Sequence, residues 1–478
     1  METADLQRID SYPYRHRLAD VMARSVVTLP ENAPLRRAVA EMHAQAIGSV
    51  VIVDGQGKPI GILTERDIMG ALIKGAAALE APIGRSMSQP VVAMPADAYL
   101  YRAIAAMERR NIRHIVALDH DGRAVGMVSA RNLLRQRASA ALRLGDQIDI
   151  APDAQALAEV QQDMPALAQA LLAEGVAATD IAAVISAASR DMGARAATLA
   201  IEWMRAQGRG AAPAPWCLLI LGSGGRGESL LAPDQDNALI HAGSDGDDAW
   251  FGAFAGRFNA ILDGAGIPLC KGGVMAKNPA WRHSVTKWTA QVADWIARPE
   301  GEALLNVDIF YDCRPIAGDA ALALALRHQA LALAQVSPTF LRLLAANAEN
   351  LRAPLGLWGG IKTDRGRVDL KKGALLPIIT AARVIALKLG IDAVSSDERL
   401  RLAAQRLPGS ENLLELIDAR GVIVAALLSQ QLIDIAAGVA PGNRVDPATL
   451  DRHHRRALKQ ALREAAGAET LIADALTA

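Results

Sequence analysis

Hydrophobic and polar positions in residues 22–133 trace the same figure twice. A short apolar stretch (VVTL at 26–29, VVAM at 91–94) runs into a proline and a polar turn. Apolar spacing then predicts an amphipathic helix over 34–45 and again over 98–110. Two apolar strands follow each helix: SVVIVD and PIGILT in the first copy, HIVALD and AVGMVS in the second. A turn containing Gly57 or Gly122 separates them, as hairpins require. A last helix is predicted to start at Glu65 or Ala130. A shift of 65 positions lays 22–68 on 87–133 without a gap, so that Met22 meets Met87, Asp54 meets Asp119 and Gly61 meets Gly126. One such unit cannot bury both faces of its small sheet, so the copies are expected to pack together.

The two copies close on GILTERD (61–67) and GMVSARN (126–132). With the repeat, these motifs resemble the CBS family over the full length of both copies. The resemblance implies an AMP, ADP or ATP ligand. The hydroxyl of Thr64 or Ser129 would touch a phosphate, and Asp67 would hold the ribose hydroxyls. A hydroxyl at a helix start suits an anion, although a plain N-cap has the same geometry. The second copy has Asn132 where the first has Asp67. An uncharged acceptor binds a hydroxyl less strongly, so the first site is expected to be the better one. Arg113 and His114 are further candidates facing phosphates, and a homodimer through the CBS pairs is expected.

Residues 139–207 are helix formers with apolar periodicity, punctuated by Gly175 and Gly208. They read as a helical connector, with Asp191 and Arg195 as a surface i, i+4 pair.

The pattern then changes. CLLIL (217–221) reads as a buried strand, and Gly222-Ser223-Gly224-Gly225 as a sharp turn into a short helix, GRGESLLA, ended by Pro233. Asp234-Gln235-Asp236 opens a second strand, NALIHA. A glycine-serine turn offers amides and a hydroxyl to phosphates. Aspartates two apart on a strand share a face and repel unless a cation such as Mg²⁺, itself suited to carboxylates and phosphates, lies between them.

Turn, short helix and Asp-x-Asp together resemble the nucleotidyltransferase superfamily that includes polymerase beta and the protein-PII uridylyltransferase. The run GSGGRGESLLAPDQDNALI is most similar to bacterial members that carry CBS pairs. The resemblance implies Mg²⁺-dependent transfer from a nucleoside triphosphate, with a protein of the PII type as a possible acceptor. Asp234 and Asp236 would hold metal, and Gly222, Ser223, Gly224, Gly225 and Arg226 would cradle the triphosphate. It also implies a third metal carboxylate from a later strand in LLNVDIFYDCRPIAGD (304–319). Asp308 and Asp312 share strand parity, and the resemblance favours Asp312. The stretch CKGGVMAKNPAWRHSVTKW (270–288) matches the narrower family, with Lys271, Lys277, Asn278 and Arg282 as candidates on the substrate side. Nucleotide sensing without turnover is the alternative reading.

Residues 320–478 read as helices, interrupted by glycines in PLGLWGGIKTDRGRVDLKKGALLPI (354–378). Asp369, Lys371 and Lys372 fall at a helix start there and are candidates to approach the nucleotide across the cleft, with a capped surface helix as the alternative. The expected architecture is α/β plus α: a CBS pair over 15–138 (copies 15–74 and 80–138), a connector over 139–208, a small mixed-sheet nucleotidyltransferase domain over 209–319, and a helical C-terminal domain over 320–478.

Lys plus Arg equals Asp plus Glu, at 51 each. That balance removes the electrostatic case for nucleic acid as a bulk partner. Cys217, Cys270 and Cys313 have no metal-like spacing and fit a reducing compartment. With no signal-like N-terminus and no apolar run of about 18 residues, a cytoplasmic protein without membrane contact is expected.

Overall fold

Each half of the repeat builds a three-stranded sheet, with the apolar alternation setting the pairing. In the first, β1 (Thr28–Pro30) leads into α1 (Leu35–Ala44), then β2 (Ser49–Val53), β3 (Pro59–Thr64) and α2 (Glu65–Leu72). The second repeats this order with β4 (Ala93–Pro95), α3 (Leu100–Arg110), β5 (His114–Leu118) and β6 (Ala124–Ser129). The first strand of each copy pairs parallel to the second, and the second antiparallel to the third. The hairpin turns are chemically the same. Asp54 Oδ1 accepts from the amides of Gln56 and Lys58, as Asp119 Oδ1 does from Asp121 and Arg123.

The copies exchange their lead-in segments. Ile83 and Met87 pack in the core of the first copy, while Leu18, Val21 and Met22 pack in that of the second. A Cβ on Gly61 would lie 2.4 Å from the Met87 sulfur, and one on Gly126 2.2 Å from that of Met22. The two repeats therefore fold as one pair.

This computed structural model describes residues 16–24, 26–73, 75–129, 144–299, 301–349, 353–356, 360–407, 409 and 411–477. It divides into two units, Met1–Arg143 and Leu144–Ala478. Asn132 and the helix expected from Ala130 lie outside the described residues.

The second unit begins with α4 (Ala154–Ala173) and α5 (Ala178–Ala206). The expected separate connector is corrected here. Ile181, Ile185, Met192 and Ala196 of α5 share a core with Leu218 and Leu239 of the central sheet and with Phe251, Phe254 and Phe258. The long apolar face of α5 is thus the floor of the next domain rather than a free tether. Nor do Asp191 and Arg195 pair: Arg195 Nε donates to the Ala151 carbonyl at 2.8 Å, and a terminal nitrogen lies 4.0 Å from Glu202.

The central sheet is mixed. β7 (Trp216–Ile220) lies between β10 (Arg314–Gly318) and β8 (Asn237–His241), both antiparallel to it, and β9 (Arg282–Ser284) runs parallel to β8. Between β7 and β8 comes α6 (Gly222–Arg226); α7 (Asp248–Gly264) follows β8, and α8 (Val285–Ala297) follows β9. Residues 304–312 are not a strand. α9 spans Gly301–Phe310, and only at Arg314 does the chain become extended. Leu304, Val307, Phe310 and Tyr311 are all buried, a helical spacing that overrides strand alternation.

Helices complete the unit as expected: α10 (Ala320–Gln335), α11 (Pro338–Glu349), α12 (Leu376–Lys388), α13 (Ser396–Arg406), α14 (Asn412–Ala436) and α15 (Arg452–Thr477). A two-stranded ribbon joins β11 (Val368–Asp369) to β12 (Arg444–Val445), and Lys371–Leu375 forms a π-helical turn before α12. α14 is long and apolar enough to span a membrane, yet more than half of its apolar window is buried. It packs on α13 and α15 as a core helix.

Candidate functional site

The loop between β7 and β8 is held at both ends. Gly222 sits at φ +55°, where a side chain is strained, and a Cβ there would meet Asp236 Oδ2 at 2.8 Å. The Leu221 amide donates to the Asp236 carbonyl at 2.9 Å, tying the turn to the aspartate pair. From α5, Arg190 reaches the Gly224 carbonyl and Ser186 accepts from the Ser229 amide. The short helix lies earlier than expected: α6 takes in Gly222–Gly225, the residues read as the turn, and stops at Arg226 because Gly227 is left-handed, so that Glu228 to Pro233 are not helical. The amides of Gly222, Ser223 and Gly224 open that helix and so lack acceptors within it. The Ser223 hydroxyl lies 3.2 Å from that of Ser229.

The residues Asp-Gln-Asp-Asn alternate out and in. Gln235 and Asn237 are buried, Asp236 half-buried and Asp234 exposed. Gln235 Nε2 donates to the carbonyls of Asn259 and Ile267. Asn259 Nδ2 donates to Gln235 Oε1 at 2.7 Å and to Asn237 Oδ1 at 3.0 Å. The Ala276 amide also donates to Asn237 Oδ1, at 2.8 Å. These inward amides fix the register that turns both aspartates to one side, a role the sequence reading missed.

Asp234, Asp236 and Cys270 place one ligand atom each within 4.8 Å of one another, the only such group among the described residues. Cys270 was not among the expected site residues. Its place at the head of CKGGVMAKNP was the available signal. Burial, then the charge of Asp234, pushes the Asp236 carboxyl up to about 6, while the Cys270 hydrogen bond and the Lys371 charge work in the other direction. Asp369 caps the π-helical turn that follows it, accepting from the Lys372 amide at 3.0 Å. The cavity enclosed behind the turn, lined by Ser223, Gly224, Asp234 and Asp236, is about 30 Å³. That volume holds roughly one water, so a triphosphate fits only on the open side, where Asp234 is exposed.

Three expected members of the phosphate and metal set are engaged elsewhere. The Gly225 amide donates to the Leu221 carbonyl, and a Cβ at Gly225 would fall 1.8 Å from the Asp312 carbonyl oxygen. Arg226 is buried, donating to Glu228 at 2.8 Å and to Asp312 at 2.5 Å. Asp312 is fully buried and also bonded by Arg383 at 2.5 Å and Arg399 at 2.7 Å. Burial alone would raise this carboxyl, but Arg383, Arg226 and Arg399 hold it well below the ordinary carboxylate range. Asp308 pairs with Arg383 as well. Glu228 accepts from the Ser396 amide at 2.8 Å, and Arg420 is paired to Asp397 beside it. This buried network joins the motif segment 226–228 to α12, α13 and α14. It leaves neither Arg226 nor Asp312 facing a substrate.

Arg282 is likewise structural. It pairs with Asp248 and donates to the carbonyls of Ala276 and Lys277. Asn278 Nδ2 closes its own loop on the Gly273 carbonyl. Lys271 is exposed and Lys277 half-buried.

In the first unit, Thr64 and Asp67 form a capping box on α2. Asp67 Oδ2 accepts from the Thr64 amide at 2.8 Å and its hydroxyl at 2.6 Å, and Asp67 Oδ1 accepts from the Ser88 hydroxyl at 3.1 Å. His114 lies opposite Ser129 across β5 and β6, the position that Ser49 and Thr64 occupy in the first copy. Burial, then the Arg113 charge, lowers the His114 pKa. Arg113 itself is exposed.

Comparison with known proteins follows the same division. The CBS domain model matches residues 18–74 and 83–139. The family described as "Putative nucleotidyltransferase DUF294" matches 162–302. A "Putative nucleotidyltransferase substrate binding domain" matches 338–475. An uncharacterized protein of Methanopyrus kandleri is 33% identical over 122 residues, 25% of this chain and 61% of the relative. An arabinose 5-phosphate isomerase of Pseudomonas aeruginosa is 32% identical over 101 residues, 21% of this chain and 31% of the enzyme. This chain therefore spans less than two thirds of either relative. Among solved structures, a CBS-domain protein of Agrobacterium tumefaciens is 30% identical, covering 25% of this chain and 94% of its own, at a TM-score of 0.23. One from Pyrobaculum aerophilum, solved with AMP, is 28% identical, covering 26% and 94%, at 0.24. Repeat, turn, aspartate pair and helical C-terminal half agree with the family matches: the chain joins a CBS pair to a nucleotidyltransferase domain of the DUF294 family and that family's C-terminal substrate-binding domain.

Proposed function

We infer that the protein transfers a nucleotidyl group from a nucleoside triphosphate to an acceptor, using a divalent metal held by Asp234 and Asp236. One observation carries the reading: the two carboxylates are turned to one side, beside Cys270 and directly behind the Gly222–Arg226 turn. A carboxyl pushed up to about 6 by burial and a neighbouring carboxylate is the electrostatic signature of a site that a cation would relieve. Mg²⁺ bound there would neutralise triphosphate and leaving-group oxygens. The Ser223 hydroxyl and the amides of Gly222 and Gly224 would orient the triphosphate, and Gln235 and Asn237 keep the carboxylates aimed. The resemblance to the protein-PII uridylyltransferase makes a protein acceptor of the PII type one substrate class. Incubating the purified protein and Mg²⁺ with cell lysate and each α-labelled triphosphate tests this: label is expected on a discrete acceptor with one base preferred. No labelled species from any of the four triphosphates would sink it.

Metal affinity carries a pH test. A carboxyl with its proton affinity raised to about 6 must lose that proton to bind a cation. Mg²⁺ or Mn²⁺ binding is expected to be constant above pH 7 and to weaken about tenfold per unit below pH 6. A flat calorimetric profile from pH 5 to 8 would remove Asp236 from the ligand set.

Nucleotide sensing without turnover is the second reading. The arginine clamp on Asp312 favours it, since two carboxylates rather than three then face the metal.

At the CBS pair we infer an adenine nucleotide ligand, with Asp67 exchanging its Ser88 contact for the ribose hydroxyls. Asp67→Ala is expected to weaken AMP binding more than Asn132→Ala, because the charged acceptor makes the stronger bond. Calorimetry giving the reverse order would overturn the asymmetry. Regulation follows if AMP there changes triphosphate affinity in the other unit. Linkage then requires the reciprocal change, of about 1–3 kcal/mol in typical cases. The exposed Met69, Leu72 and Ile73 on and just after α2 offer an apolar surface for a homodimer of CBS pairs.

A further inference from the structure

Backbone hydrogen bonds stitch the loop over residues 268–274 along the aspartate segment. The Gln235 amide donates to the Pro268 carbonyl and the Asn237 amide to the Val274 carbonyl, each at 3.0 Å. The inward residues thus hold the loop, and the outward ones, Asp234 and Asp236, face what the loop carries. The loop turns back on itself at Gly273, at φ +74°. The Gly273 amide donates to the Cys270 carbonyl, and its own carbonyl accepts from Asn278. That turn brings the Cys270 sulfur within 4.8 Å of a carboxylate oxygen of each aspartate. Cys217 and Cys313 are buried, whereas Cys270 is half-buried.

Three donors converging from two segments can share one ion. Ligands of a single Zn²⁺ at about 2.0–2.3 Å can lie as much as about 4.5 Å apart, so small side-chain rotations close the set. The third carboxylate that the superfamily resemblance implies does not contribute, because Asp312 is fully buried and clamped by three arginines. Cys270 stands where a third donor is needed, with a different chemistry. A thiolate is a soft ligand that favours Zn²⁺ and similar borderline ions, whereas Mg²⁺ takes hard oxygens in a near-ideal octahedron. Three protein ligands also leave a position open for water or substrate, the pattern of catalytic rather than structural zinc sites. Asp234 is exposed, so the open position faces the side on which a triphosphate fits.

We propose that Cys270 is the third protein ligand of the aspartate metal site and makes it select a thiolate-binding divalent ion of the Zn²⁺ and Co²⁺ class over Mg²⁺. The thiol proton leaves to solvent as the metal binds. Mg²⁺ would use the two carboxylates and water, with the sulfur outside its shell. The proposal rests on the reading that Asp234 and Asp236 hold a metal.

The test is titration of the reduced, metal-free full chain with Co²⁺, followed by the near-ultraviolet sulfur-to-cobalt charge-transfer absorption. The wild type is expected to develop that band at one equivalent per chain, and to lose it to Zn²⁺ but not to a large excess of Mg²⁺. Cys270→Ser of equal melting temperature is expected to lack the band and to bind Zn²⁺ at least about tenfold more weakly, the scale set by losing even an outer-shell partner. Iodoacetamide gives a second measurement without a substitution: it should alkylate half-buried Cys270 in the folded protein, and bound Zn²⁺ should protect that thiol. Co²⁺ bound without the band, a band persisting in Cys270→Ser, or alkylation undiminished by Zn²⁺ would each overturn the ligand assignment while leaving a metal on the carboxylates. Failure of the underlying reading looks different: Asp234→Asn and Asp236→Asn would then bind Co²⁺ and Mg²⁺ as the wild type does, or the wild type would bind neither.

Discussion

Replacing Asp312 by asparagine is expected to destabilise the second unit by about 3–5 kcal/mol, the usual consequence of removing one partner from a buried ion pair. Its carboxylate accepts from Arg226, Arg383 and Arg399 and is fully buried. Without that charge, the three guanidinium groups repel one another in the interior. Glu228 and Asp308 offset only part of this, through Arg226 and Arg383. The melting temperature should fall by on the order of 10 °C. The sign with pH is fixed as well. The folded-state pKa of Asp312 is depressed, so its contribution is present above the unfolded value near 3.8 and is lost as pH falls further. An Asp312→Asn protein that melts like the wild type yet lacks activity would return Asp312 to the metal site and contradict its place in the clamp.

Asp234→Asn and Asp236→Asn are expected to do the opposite. Activity should fall by about 10²–10³-fold or more, the scale of losing one preorganised electrostatic contact. Stability should hold or rise, because each substitution removes one of two carboxylates that repel. The folded-state pKa of Asp236 is raised to about 6 from 3.8. Its ionised form is therefore penalised at neutral pH, and the apo protein gains stability from this group as pH falls from 6 towards 4. In Asp236→Asn that gain should vanish. Thermal melts of the metal-free variants across this pH window measure it, and lowered stability at pH 7 in both would show the pair to be structural.

What the sequence revealed was local. The repeat and its hairpins depend on residues a few positions apart, and the described ones formed where the pattern put them, whereas the short helix after β7 did not. Asp234 and Asp236 were legible for the same reason, since alternation along an extended segment turns both to one side, although β8 itself starts only at Asn237 and the buried amides of Gln235 and Asn237 hold that register. Arg226 and Asp312 were not. Their partners are one another, 86 positions apart, and residues of α12 and α13 much further along, so a phosphate-facing arginine and a buried one read alike. α9 was read as a strand because the resemblance calls for a carboxylate on one there, and a short, mostly apolar run such as LLNVDIFYD fits both periods. Cys270 carried only its place at the head of CKGGVMAKNP as a signal, because only the folding of the loop before β9 brings its thiol to Asp236.

The measurement that bears most directly on the central claim is product analysis of a nucleoside triphosphate incubated with the purified full chain, with Mg²⁺ supplied or chelated. The account predicts pyrophosphate, released only with the metal, by the wild type but not by Asp234→Asn of equal melting temperature. Triphosphate bound with measurable affinity, but no pyrophosphate from any of the four bases with Mg²⁺ or Mn²⁺ and with lysate supplied as a source of acceptor, would contradict it and leave a nucleotide sensor.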